Sequence, residues 1–175
     1  MDWYQIVLET IDMRSFSNLW FWIALAVVWS TASHWVLGVP FDMVARARRS
    51  GGQAGRDLED MVRITVTRIL YIAEEAGLWI VGFGSALLSG LAVAGFVYGM
   101  ELAQALFLLA FPMSLVAWMN VVTAARIRNE ALAGEDLCAR LSRHRFWTQV
   151  IGMVSIFVTA LWGMYQNMSY TALGG

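Results

Sequence analysis

Two adjacent carboxylates, Glu74 and Glu75, stand at the mouth of a long apolar run in the stretch YIAEEAGLW. Earlier in the chain, WSTASHW places Ser30, Ser33 and His34 on one helical face at i, i+3 and i+4, with Thr31 beside them. His34 falls about one turn from the end of its apolar run, and the two acids open the next, so all three can share a depth. Ionisable groups at membrane depth are costly unless paired or wetted. A His–carboxylate pair there has three possible uses: proton relay, weak binding of a divalent metal, or locking two helices. The simpler reading is that the acids mark an interface. The apolar run at 76–98 already covers roughly 34 Å as a helix, so both carboxylates can reach headgroup water. Adjacent residues also point about 100° apart, which leaves one acid to face a bundle. Glu75 is the expected one, because Ala76 and Gly77 beside it leave room for a neighbour.

The remaining reactive side chains form no recognisable constellation. His144 lies among arginines, away from any carboxylate motif. Arg140 near Cys138 would favour a thiolate, but a small buried residue on a helix is the expected role of that cysteine. One cysteine excludes an internal disulfide or an all-cysteine metal site. GFGSALLSG at 82–90 follows no strand and has no basic partner, so it reads as a packing surface and not as a phosphate loop. No catalytic residue, cofactor or resident metal is expected, and the chain reads as not being an enzyme.

The elements that carry these residues follow from composition. Of 175 residues, 59% are hydrophobic and 14% charged, against about 45–50% and about 25% in an ordinary soluble domain. Mean hydropathy is +0.59. The excess gathers into four windows, 18–38, 76–98, 102–123 and 146–165, each long enough to cross about 30 Å of hydrocarbon. The expected fold is all-α, a four-helix transmembrane bundle. Net charge of −1 offers no surface for nucleic acid.

All twelve basic residues are arginine, and eleven lie at 39–75 or 124–145. Basic loops remain cytoplasmic, so both termini are expected on the periplasmic side of a bacterial inner membrane. Trp20, Phe21, Trp22, Tyr98 and Trp162 would form an outer aromatic belt, and Trp35, Trp118 and Trp147 an inner one. Trp29 falls between the belts and should pack inside the bundle. The N-terminus has no positive n-region, so no cleaved signal peptide is expected.

Outside the spans, residues 1–17 read as an amphipathic periplasmic helix on the membrane surface, with Ser17 or Asn18 capping the first span. ARARRSGGQAG reads as a turn, and a helix from Asp57 runs unbroken into span two, with Glu59 paired to Arg63. The loop at 124–145 reads as two helical extensions turning at Gly134. The periplasmic turn falls at 99–101 and the C-terminal tail at 166–175. In the spans, Gly82, Ala86, Gly90 and Ala94 recur every four residues, and Gly152, Ser155, Thr159 and Gly163 share one face. Such residues let helix backbones approach closely in lipid. Packing inside the bundle is the expected use. Pro112 should kink span three and leave a carbonyl one turn back free for a neighbouring side chain.

The stretches IDMRSFSNLWFWIALA, STASHWVLGVPFDMV and IGMVSIFVTALWGMYQNM resemble a family of small inner-membrane proteins of alphaproteobacteria. That family is commonly labelled a component of the SufBCD iron–sulfur assembly complex. The resemblance runs along most of the chain. A cluster usually needs four ligands and this chain has one cysteine. The resemblance therefore implies a membrane-side partner of that complex, engaged through the arginine-rich loops. The leading expectation is a non-enzymatic accessory or scaffold subunit embedded in the lipid bilayer, with a protein partner or a second copy. The alternative is a small transporter or proton- or metal-coupled channel using His34 with Glu74 or Glu75.

Overall fold

The computed structural model describes Phe16 and residues 19–173, with side chains through Met168. The expected amphipathic tail and the cap at Ser17 or Asn18 lie outside the described residues. Helix α1 (Leu19–His34) is followed by a two-residue strand pair, β1 (Trp35–Val36) and β2 (Val39–Pro40). Next come α2 (Phe41–Ser50), α3 (Gly52–Ala92) with a π-helical turn at Val93–Val97, α4 (Glu101–Asn129) and α5 (Gly134–Leu173). The fold is thus helical almost throughout. Three helices are long and apolar enough to cross a membrane: Gly52–Val97, Glu101–Asn129 and Gly134–Met168.

The first apolar window departs from expectation, because its helix stops at His34 instead of reaching residue 38. Pro40 disfavours helix at the residue before it and cannot donate a helical hydrogen bond. The chain reverses instead. Leu37 (φ 53°) and Gly38 (φ 75°) form a two-residue turn with positive φ at both positions, and Val36 pairs with Val39. Positive φ at both centres matches the right-handed twist of a tight hairpin. Leucine is costly in this region, and its burial (1% exposed) offsets the cost. A Cβ on Gly38 would also press on Thr65 Cγ2 at 3.2 Å.

ARARRS is helical and not a turn, because it forms the second half of α2. Only Gly51 and Gly52, at φ 57° and 51°, break the chain, and Gly55 lies inside α3. Alternation of Val44 and Ala47 against Arg46, Arg48 and Arg49 gives α2 one apolar face, and that face is buried. From there α3 runs unbroken into the apolar segment as expected.

The principal hydrophobic core lies at the arginine-rich end and, apart from Val36 and Leu37 of the first, outside the apolar windows. Val36, Leu37, Val39 and Val44 from the hairpin and α2 pack on Leu58, Val62, Val66 and Leu70 of α3. Ala124 and Ile127 of α4 and Leu137, Cys138 and Leu141 of α5 complete it. Successive turns of α3 therefore serve a water-style core here. Glu59 does not pair with Arg63. It accepts a hydrogen bond from Gly134 N at 2.8 Å, placing a carboxylate at the positive end of α5. Arg63 turns to Asp60 at 3.1 Å. The turn between α4 and α5 spans 130–133 and ends at Gly134 (φ 56°), close to the expected position.

Inside the apolar segments burial is sparse. Only 6% of the α3 window is buried, against 11% for α4 and 28% for α5. Here α1 fills the angle between α4 and α5, where Leu25 and Trp29 pack on Val116, Met113 and Ile151. Trp29 lies within the bundle, as its depth implied.

Candidate functional site

The residues singled out for chemistry do not converge. Glu74 Oε1 accepts from Arg128 Nη1 at 3.1 Å, with both side chains more than half exposed. Glu75 is exposed. His34 ends α1, exposed, and its ring meets Trp35 edge-on at 6.0 Å. Among the described residues no hydrogen bond or ion pair joins His34 to either glutamate. Ser30 and Thr31 are exposed and Ser33 is half-buried.

The two small-residue faces have different surroundings. On α5, Gly152, Ser155, Thr159 and Gly163 are all buried. A Cβ on Gly152 would lie 2.7 Å from Trp29 Cε3, and one on Gly163 would lie 3.3 Å from Phe16 Cβ. This face receives α1 and the segment before it. Ser155 Oγ donates to Leu108 O at 3.4 Å. Leu108 stands four residues before Pro112, so this is the carbonyl that the proline leaves without its amide partner. On α3 the picture reverses. Nothing lies within 4 Å of a Cβ built on Gly82 or Gly90, and Ala86 is exposed. Between 78 and 90 the half-buried residues of α3 are Gly84 and Leu88. They point about 200° round the helix from Gly82 and Ala86, so the stripe looks away from the rest of the chain. Ala94, at its end, is half-buried within the π-helical turn.

Two polar assemblies were not anticipated. At the end opposite the arginines, Gln104 is buried (3% exposed) and hydrogen-bonded through both its amide nitrogen and its oxygen. Its amide donates to Gly95 O at 2.8 Å, a carbonyl of the π-helical turn. Its oxygen accepts from Trp162 Nε1 at 2.9 Å and Gln166 Nε2 at 2.5 Å. Gly95 permits this contact, since a Cβ there would meet Gln104 N at 2.8 Å. Glu101, 8% exposed, accepts Phe16 N at 2.7 Å beside it. Such a closed network ties the α3–α4 hairpin to α5 and is best read as structural. Trp162 is thus a hydrogen-bond donor inside the bundle and not only a belt residue. A lone glutamine in an apolar run was the available signal.

At the other end, His144 is 4% exposed and its Nδ1 lies 3.0 Å from Thr123 Oγ1. It precedes the apolar window by two residues. Burial pushes its pKa down from 6.5 to about 4, so the imidazole is neutral at pH 7. Arg126, Arg140 and Arg143 surround the same cavity, of about 210 Å³. Cys138 is buried in the adjoining core, and burial raises its thiol pKa, which gives it the inert packing role expected for it. Arg145 lays its guanidinium over the Phe41 ring at 3.9 Å. No protein-family model, curated protein or solved structure matches this chain.

Proposed function

We propose that this chain is a non-enzymatic integral protein of a bacterial inner membrane, a four-span accessory or scaffold subunit that receives a helix of another chain. One observation carries the reading. In the apolar half of α3, the thirteen residues 78–90 include none that is buried, and the Gly82–Ala86–Gly90 stripe opens onto empty space. Three small residues in register on an uncovered span suit close approach of a second helix. The fourth crossing is α1, whose sixteen residues cover about 24 Å. Local thinning and flanking aromatics accommodate a shortfall of that size. Arginine placement favours both termini outside. The resemblance to Suf-associated membrane proteins makes an iron–sulfur assembly complex the first partner to seek, docked at the arginine-rich end. A transporter built on His34 gains no comparable support, since Glu74 is already engaged by Arg128.

The test is quantitative co-purification of the full chain from its native membrane in mild detergent, comparing wild type with Gly90→Leu. The expected result is a partner, or a second copy, at stoichiometric yield with wild type and lost with the variant. Equal recovery with both, or an isolated monomer in each case, overturns the reading.

A further inference from the structure

The arginine-lined cavity beside His144 does not end at the apolar boundary. Trp147 forms part of its wall and also of a second cavity, of about 340 Å³, which presents only apolar surface. On α4 the two are lined by Leu108, Phe111, Leu115, Met119, Val122 and Arg126. These positions step by three or four and so share one helix face. On α5, Arg140, Arg143, Trp147, Val150, Val154 and Val158 do the same. The two cavities therefore lie in line along the α4–α5 seam and meet at Trp147, a furrow of about 27 Å from Leu108 to Arg126 by helix rise. Its chemistry changes once along that length, from cationic to apolar, at the tryptophan.

Charge at the polar end is unbalanced. Arg140 meets Glu130 at 3.6 Å. Among the described residues neither Arg126 nor Arg143 has a carboxylate partner. Three guanidiniums thus face one carboxylate. Buried Thr123 and His144 add a hydroxyl and an imidazole to the cavity wall. We infer that the α4–α5 seam is a binding site for an anionic phospholipid, with its phosphate at Arg126, Arg140 and Arg143 and one acyl chain in the furrow below Trp147. Charge selects the headgroup: a guanidinium grips phosphate oxygens in a two-pronged geometry, and basic pockets between spans at a membrane surface hold anionic headgroups. Depth selects a lipid over a soluble phosphate, because one leaflet of hydrocarbon is about 15 Å and the furrow below the arginines exceeds it. The π-cloud and N–H of Trp147 suit the boundary between the two parts.

The experiment uses the full chain in nanodiscs of mixed phosphatidylglycerol and phosphatidylcholine, released into mild detergent and read by native mass spectrometry. Wild type is expected to retain one phosphatidylglycerol in clear preference to phosphatidylcholine. Arg126→Gln/Arg143→Gln should lower that retention at least about tenfold, at roughly fivefold per arginine. Arg68→Gln, an exposed arginine on α3, should leave it unchanged. Val154→Trp, which fills the apolar half from an exposed position, should abolish retention while leaving the arginines in place. Competition by inorganic phosphate at equal effectiveness with the lipid would assign the site to a soluble anion and overturn the inference. So would equal retention of both lipids by wild type, a result that needs no variant to fold.

Discussion

Gly152 and Gly90 make the same chemical test in opposite surroundings. Gly152 sits beneath the Trp29 indole, and an added Cβ would stand 2.7, 3.1 and 3.3 Å from three ring atoms. Carbon atoms in favourable contact are about 3.5–4.0 Å apart, so Gly152→Ala drives the methyl roughly an ångström into the ring. The ring has no free exit, since Trp29 is 4% exposed among Leu25, Val116 and Ile151. Overpacking costs about 1–3 kcal/mol, and a 2.7 Å approach to a buried ring puts this case in the upper part, about 2–3 kcal/mol. Alanine's better helix propensity returns up to about 1 kcal/mol, leaving a net loss of about 1–2 kcal/mol. Gly90→Leu adds far more volume, yet nothing lies within 4 Å of its Cβ, so the isolated chain should lose no stability. Reversible unfolding in mixed micelles measures both. Trp29→Leu in the Gly152→Ala background should recover most of the loss, a coupling of about 1 kcal/mol or more between contacting residues. Gly152→Ala as stable as wild type would refute the placement of α1 against α5, and Gly90→Leu less stable than Gly152→Ala would refute the open face of α3.

Three further outcomes follow from the geometry. His144 is neutral in the fold and chargeable in the unfolded chain, so its contribution is fully present above about pH 6.5 and is lost as pH falls toward about 4. That loss amounts to roughly 3 kcal/mol, and His144→Gln should flatten the stability-against-pH curve over this window. Ser155→Ala removes the donor to Leu108 O and should cost about 0.6 kcal/mol, as membrane hydrogen bonds do on average. Restoring the backbone donor with Pro112→Ala should make the same serine substitution nearly silent. Finally, Glu74→Gln and Glu75→Gln should each change stability by no more than about 0.5 kcal/mol, and a double-mutant cycle with His34→Gln should give no coupling for either.

Much of the architecture was legible in the chain because lipid imposes strong patterns. The apolar runs, the unbroken passage of α3 into the second span, the turn before Gly134 and the carbonyl freed by Pro112 all follow from helix chemistry alone. The hairpin at 35–40 was missed because apolar content masks a turn: VLGVP looks like more membrane, and only Gly38 and Pro40 mark the reversal. ARARRS borrows a turn signal from its neighbouring glycines, but its own residues favour helix, and Ala47 continues the buried face begun at Val44. The supposed His34–glutamate cluster rested on shared depth. Depth fixes one coordinate and not rotation about the helix axis, and Glu74 instead reaches Arg128. The Gln104 network and the furrow beside His144 depend on which faces of α4 and α5 meet, information that a single periodic sequence does not hold.

The most direct test of the proposed accessory role is photocrosslinking in native membranes. A photoreactive residue at Ala86, in the middle of the open stripe, is compared with one at Leu87, also exposed but about 100° round the helix. A discrete protein adduct at Ala86, absent at Leu87 and lost when Gly90→Leu is added, is the expected result. Lipid adducts alone at Ala86, or the same protein adducts at both positions, would contradict a helix-receiving face on α3.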